Sequence, residues 1–337
     1  MVEMKILYAS SSVGLGHITR DYHIKKRLNG EVIWLTAGNA LKYIKEKGEN
    51  FEEVSNKLLS LGDYIEKMIK NCKVRISISN SYQLYKAVKH NSELIKKEIN
   101  FNDYDLIIAD EFWEFMFINI PKERSVFLTD FTKVTMNNSY IEKLIIPRLN
   151  SGLISRINEK FALKINLSLW DKDDNFINLG PVFTDNYLEN DYKENDNILI
   201  NVGGTNAALK IAEKIKDKLN DKYDVKIIGS SKYFNPDPKK TIKEAGILIS
   251  LSGYGSIIES NLFKKRTIFL YIENHFEHIE NANIIKGRKG FRVYPCNEIL
   301  NINIKNEIEK LKKEEVDSLK LNDSTNMVVE EIEKLIR

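Results

Sequence analysis

The sequence is poor in cysteine, proline and histidine, and it has no long apolar run. Its two cysteines, Cys72 and Cys296, stand in different halves of the 337-residue chain. They have neither the number nor the spacing of a disulfide framework or a zinc site, so a reducing, cytosolic setting is expected. No apolar stretch approaches the roughly 20 residues needed to cross a bilayer, and the N-terminus enters a strand directly rather than through a signal peptide. A soluble, cytoplasmic chain is expected. Charge of one sign is lacking too: 51 Lys and Arg nearly cancel 48 Asp and Glu, so no global field recruits nucleic acid. No GKS or GKT triplet occurs, which excludes a Walker phosphate loop.

What is present is alternation. Apolar runs such as "MKILYAS", "EVIWLTA", "YDLIIAD" and "SVFLTDF" alternate with helical patterns, and the scheme restarts at "NILINVGG" and continues through "YDVKIIG", "GILISLSG" and "RTIFLYI". Strands alternating with helices predict parallel sheets covered on both faces. The fold expected is α/β, with two tandem Rossmann-like doubly wound domains and a cleft between them. A polar stretch beginning "LWDKDDNFINLG" separates the two patterns. It predicts domains over residues 1–180 and 181–337, with the tail from about residue 303 as packing helices.

Glycines mark the predicted strand-to-helix turns: Gly14 and Gly16, Gly203 and Gly204, Gly253 and Gly255. Such turns expose backbone amides at the positive end of a helix and let a phosphate approach them closely. The first is not a dinucleotide fingerprint, because Thr19 replaces the third glycine and "WLTAGNA" ends without an acid. Its distinctive residue is His17, which opens a helix whose dipole disfavours a proton on the ring, as suits a general base. Asp110, ending the strand "YDLIIAD", is placed to orient that imidazole. Glu111 and Asp130 compete for the same role. His23 and His90 read as structural, and the "DKDD" string at 171–174 as a solvated loop rather than a metal site.

With "NVGGTNA", "LSGYGSIIES" and "YIENHFEHIENANIIKGRKGF", the second half resembles the donor domain of GT-B glycosyltransferases, and of glycosyltransferase family 28 in particular. The first half agrees, since that family also opens with a strand, a glycine-rich loop ending in His, and a helix. The resemblance implies that Gly16, Gly203, Gly204 and Thr205, with Ser252, Gly253, Gly255 and Ser256, bind the donor, and that the last seven face its diphosphate. It implies that Glu259 binds the ribose. "EHIENA" matches the family's HQxxNA-like motif, with Glu277 and His278 in place of its His and Gln and with Asn281 and Ala282 retained.

The implied activity is transfer of a sugar from a nucleotide-diphosphate sugar, UDP-linked by resemblance, to a hydroxyl acceptor, with inversion at the anomeric carbon. Helix N-termini can stabilise the departing diphosphate, so neither metal nor cofactor is expected. Rival readings on the same fold are a nucleotide-sugar hydrolase, a 2-epimerase and a non-catalytic binding subunit. Residues 55–99 hold nine Lys and Arg against four Asp and Glu, interleaved with "LLSLGDYIEKMI" and "YQLYKAV". Such a surface suits peripheral contact with a membrane that carries a polyprenyl-linked or glycolipid acceptor.

Overall fold

The structure, a computed structural model, describes residues 4–135, 140–183, 194–235 and 238–336. The chain divides into two compact units, though not by a single cut near residue 180. Met1–Lys67, Ile76–Phe183 and Asp323–Arg337 form the first unit, while Met68–Arg75 and Thr184–Asn322 form the second.

The first unit's sheet opens with β1 (Lys5–Ser10) and β2 (Glu31–Leu35). The chain then gives the two-residue strands β3 (Ile69–Lys70) and β4 (Lys73–Val74) to the second unit. It returns with β5 (Leu106–Asp110), β6 (Ser125–Thr129), β7 (Leu163–Asn166) and β8 (Ile177–Asn178). The six strands are parallel in the order β2-β1-β5-β6-β7-β8. Strand periodicity splits β1 between two core layers: Ile6 and Tyr8 pack with Trp34, Ile108 and Leu128, whereas Leu7 and Ala9 pack with Ile107 and Phe127. Helices α1 (Gly16–Lys25), α2 (Gly38–Glu46), α3 (Leu61–Met68), α4 (Ile78–Glu98) and α5 (Tyr140–Lys160) follow in turn. α1 gives Ile18 and Ile24 to the first layer, and α4 gives Ile95 to the second. Each such buried aliphatic side chain stabilises the unit by roughly 2 kcal/mol.

The second unit repeats the design. Strands β9 (Ile198–Asn201), β10 (Val225–Ile228), β11 (Ile247–Leu251), β12 (Thr267–Tyr271) and β13 (Phe291–Pro295) run parallel in the order β10-β9-β11-β12-β13. Between and after them come α6 (Leu209–Leu219), α7 (Lys239–Glu244), α8 (Tyr254–Leu262), α9 (Phe276–Ile285) and α10 (Ile304–Leu311). Ile215 of α6 and Ile308 of α10 join Ile200 and Ile249 in its main core. The last helix, α11 (Thr325–Leu335), belongs to the first unit, where Val328 and Ile332 enter the layer of Ile24. The tail is thus shared between the units, α10 with one and α11 with the other. Ser324 Oγ donates to the Leu179 carbonyl at 2.6 Å, and Arg27 Nη1 to Asn326 Oδ1 at 2.7 Å.

Two further expectations need correction. Asp171, the first residue of "DKDD", is 2% exposed; it accepts from the Thr132 amide at 2.7 Å and faces Lys133 Nζ at 2.8 Å. With β8 paired to β7, the front of the polar stretch is part of the first sheet, because its buried Asp and Phe176 have partners there. Residues 184–193 of that stretch lie outside the described residues. The cysteines are also paired: Cys72 is disulfide-bonded to Cys296 across 224 residues of sequence, with Cα atoms 5.6 Å apart. The β3–β4 hairpin lies along the segment after β12, where the Glu273 amide donates to the Cys72 carbonyl at 2.9 Å and the Val74 amide to the Glu273 carbonyl at 2.8 Å. Cysteine usage therefore no longer argues for a reducing compartment. Among the described residues no helix is long and apolar enough to cross a membrane.

Candidate active site

The register places Ser10 beside Asp110, and Asp110 beside Leu128, at the C-terminal edge of the first sheet. That edge is where parallel sheets offer chain ends and helix starts to a ligand. After β1 the chain turns at Gly14, whose φ of 69° favours glycine. α1 then begins at Gly16 without a side-chain cap, and Gly16 has no protein atom within 4 Å of where a Cβ would stand.

His17 sits in the first turn of α1, with its side chain 12% exposed. Its Nδ1 lies 3.1 Å from Asp110 Oδ1 and 3.0 Å from Arg20 Nη2; an ionised carboxylate only accepts, which assigns an Nδ1 proton to the Asp110 bond. Its Nε2 faces Glu111 Oε2 at 3.8 Å. Of the three acids that compete for the imidazole, Asp110 is the one within hydrogen-bonding reach. One turn along α1, Arg20 donates through Nη2 to Asp110 at 2.6 Å, through Nε to Asp110 Oδ2 at 3.0 Å, and through Nη1 to Asp130 Oδ2 at 3.0 Å. Asp21 accepts from the Tyr8 hydroxyl at 3.0 Å and the Ser10 hydroxyl at 2.5 Å. The residues missed in the sequence are thus Arg20, Asp21, Ser10 and Tyr8. Spacings of three and four from His17 were the available signal for the first two, since they share its helix face.

The protonation state departs from the expectation drawn from the helix dipole. Burial alone would lower the pKa of His17, but Asp110 and then Glu111 raise it to about 10. The ring is therefore an imidazolium at neutral pH in the free protein. For Asp110 burial pushes upward, and Arg20 followed by His17 holds the group well below the usual carboxylate range. Glu111 is raised well above its ordinary value, by burial first and by Asp130 next. His17, Glu111 and Asp130 offer ligand atoms within 4.8 Å of one another, a set that could hold a cation. The Arg20 guanidinium on Asp130 already supplies positive charge there.

In the second unit, β9, β11 and β12 are neighbours, so the loops that follow them share one sheet edge. Gly203 and Gly204 adopt φ of 68° and 83°, and the Gly203 amide donates to Asn201 Oδ1 at 3.0 Å. Thr205 Oγ1 accepts from the Ala207 amide at 3.1 Å. Beneath this turn lies Gly229, another residue missed in the sequence: a Cβ there would stand 2.7 Å from Asn201 Oδ1. Gly253 has an ordinary φ of −72°, and neither it nor Gly255 has an atom within 4 Å of an added Cβ, so these glycines leave open space at the start of α8. Ser256 is buried in that first turn, and Glu259 lies half-buried one turn on. Ser252 is fully buried and spends its hydroxyl on the His278 carbonyl at 2.8 Å. It positions α9 rather than facing a phosphate with that hydroxyl.

His275 caps α9 and stacks on His278 with centroids 4.1 Å apart. Burial, then His275, lowers the His278 pKa well below its usual value, so this ring is neutral. Asn281 Nδ2 donates to Glu277 Oε1 at 3.3 Å. His278 Nδ1 and Asn281 Oδ1 are buried with no hydrogen-bond partner. His23 is buried, whereas His90, expected to be structural, lies exposed on α4. His90 lines a groove of about 560 Å³ with Tyr64, Lys67, Lys86 and Lys89. Within the basic segment Lys57 is paired with Glu98 at 2.7 Å, and Lys73 lies in the second unit beside Glu273.

No family model and no curated protein matches the sequence. Solved structures do. Acinetobacter baumannii MurG aligns over 98% of this chain and 99% of its own, at 11% identity and a TM-score of 0.52. The kitacinnamycin glycotransferase aligns over 100% and 95%, at 11% identity and a TM-score of 0.58. SsfS6 of Streptomyces sp. SF2575, solved with thymidine diphosphate, aligns over 98% and 99%, at 11% identity and a TM-score of 0.51. The chain therefore has the GT-B fold of these sugar-transferring enzymes. At such low identity the likeness is one of fold and does not single out family 28.

Proposed function

We propose that the chain is a glycosyltransferase that moves a sugar from a nucleotide-diphosphate sugar to a hydroxyl acceptor by metal-independent, inverting displacement. The observation that carries this reading is the His17–Asp110 pair at 3.1 Å on the C-terminal sheet edge of a GT-B chain. In the reaction the acceptor oxygen loses its proton at the His17 site and attacks the anomeric carbon, while the diphosphate leaves with the bonding electrons. The open start of α8 and the Gly204 amide are suited to receive that charge. Glu259 is assigned to the ribose. The unpartnered His278 Nδ1 and Asn281 Oδ1 are assigned to sugar hydroxyls, which would satisfy two buried polar atoms at once.

A thermal-shift panel of nucleoside diphosphates and UDP-sugars tests the donor assignment, because site-specific binding raises the melting temperature. At 100 times Kd the gain is about 2.7 kcal/mol. UDP and UDP-sugars are expected to raise the melting temperature equally with and without EDTA. A shift that EDTA abolishes contradicts metal independence, and no shift with any nucleotide contradicts the donor assignment.

The acceptor assigned is lipid-linked, on the strength of Ile78 (93% exposed) and Tyr82 (55% exposed) on the same helix as Lys86 and Lys89. Replacing Lys86 and Lys89 by Glu is expected to weaken sedimentation with anionic liposomes, each basic residue contributing about 1 kcal/mol near the surface. Unchanged sedimentation removes the membrane from the assignment.

A further inference from the structure

Glu111 is a buried carboxylate, 5% exposed, on a backbone with φ of 45°, a region that side chains bearing a Cβ rarely adopt. Strain of this kind gathers at functional sites. Its Oε1 is fixed by the Thr129 hydroxyl at 2.8 Å and the Asp130 amide at 3.1 Å, which sets the plane of the group. Its other oxygen, Oε2, is thereby turned to His17 Nε2, 3.8 Å away. That separation is too long for a direct hydrogen bond and short enough for one oxygen atom to sit about 2.8 Å from both ends. Because Nδ1 is engaged by Asp110, Nε2 is the ring nitrogen left to meet a substrate.

We propose that the attacking acceptor hydroxyl bridges His17 Nε2 and Glu111 Oε2, and that Glu111 receives its proton. The inference rests on the glycosyltransferase reading and assigns a catalytic group within it. A hydroxyl has a single proton, and an ionised carboxylate only accepts, so the neighbour that completes the bridge must donate. The imidazolium Nε2–H does so. As the carbon–oxygen bond forms from an acceptor lone pair, the O–H bond breaks and its proton passes to Glu111. The bond from the anomeric carbon to the diphosphate oxygen breaks, and its electrons leave with the nucleotide. The charged and titratable groups around His17 are Arg20 and Asp21 from α1, Tyr8 from β1, Asp110 and Glu111 at the end of β5, and Asp130 after β6. Of the three carboxylates in the cluster of His17, Glu111, Asp130 and Asp110, only Glu111 faces Nε2 in an ion-pair distance.

Glu111→Gln preserves shape and an acceptor for Thr129 and Asp130 while removing the proton acceptor. In acceptor-dependent release of UDP from UDP-N-acetylglucosamine, it is expected to lower kcat by about 10²-fold or more and to abolish the acidic limb of the pH–rate profile. Glu111→Asp is expected to keep that limb at a reduced rate. A Gln variant with the wild-type rate and acidic limb overturns the proposal. A second readout does not need turnover: the His17 ring, followed by NMR, is expected to titrate about 1 pH unit or more lower in the Gln variant. An unchanged His17 titration overturns the proposed bridge even if the chain transfers sugar. Absence of acceptor-dependent UDP release from the wild-type chain, with the titration shifted, overturns the glycosyltransferase reading instead.

Discussion

Arg20→Leu is expected to cause the largest loss of stability of any single substitution at the site. The side chain is 2% exposed, and it binds Asp110, which is fully buried, and Asp130, 6% exposed. Leucine approximates its bulk and supplies none of its hydrogen bonds, so Asp130 loses its ion-pair partner and the fully buried Asp110 is left with His17 alone. Breaking a buried pair in this way costs about 3–5 kcal/mol, a shift of roughly 10 °C for a unit of this size. Tryptophan fluorescence is a selective probe, because Trp34, Trp113 and Trp170 all lie in the first unit. Acid dependence should change as well. The depressed pKa of Asp110 contributes stability that is present above its unfolded value of about 4 and is lost as the pH falls below it. Without Arg20, the largest of the favourable influences on Asp110, that acid-sensitive increment should shrink. Arg20→Lys keeps the charge but not the fork, and should fall between leucine and wild type. A leucine variant melting within 1 °C of wild type, on the order of experimental error, would show that Arg20 is not the keystone of this cluster.

His17→Ala is expected to abolish turnover while leaving the fold and nucleotide binding in place. It removes the imidazolium that holds the acceptor oxygen against Glu111, and losses of acid–base groups lie at about 10²–10⁴-fold. Arg20 still grips Asp110 in the variant, so the carboxylate keeps its main partner. The loops at Gly203 and Gly253 belong to the second unit, so UDP should bind with its wild-type affinity. Calorimetric titration with UDP, run beside an assay of UDP release, separates the two effects. Retention of activity within a few-fold would remove His17 from the mechanism.

The alternation of apolar runs made both sheets legible, because a parallel strand buried on both faces must be apolar along most of its length. His17 and Asp110 were legible for a related reason: each stands where a strand hands over to the next segment, and parallel sheets place such positions on one edge. Arg20 was not legible. Three residues past His17 it reads as a solvated helix lysine or arginine would, and its burial depends on carboxylates 90 and 110 residues away. The neutral imidazole expected from the helix dipole gave way to an imidazolium for the same reason, since two long-range acids outweigh a local dipole. Cys72 and Cys296 meet only because the β3–β4 hairpin belongs to the second unit, which nothing local in its sequence marks. Ser252 was read from its motif as a ligand of the donor, yet its hydroxyl is committed to the His278 carbonyl by the packing of α9 on α8. Local pattern thus identified the elements and their ends, while the pairing of buried charges was written in contacts of high sequence separation.

The most direct measurement is the fate of the anomeric carbon when the wild-type chain is incubated with a UDP-sugar and a hydroxyl acceptor, followed by proton NMR. Acceptor-dependent UDP release with an inverted glycosidic product is the expected result. Rapid UDP release that ignores the acceptor, an epimerised donor, or a donor left untouched by every acceptor tried would contradict it.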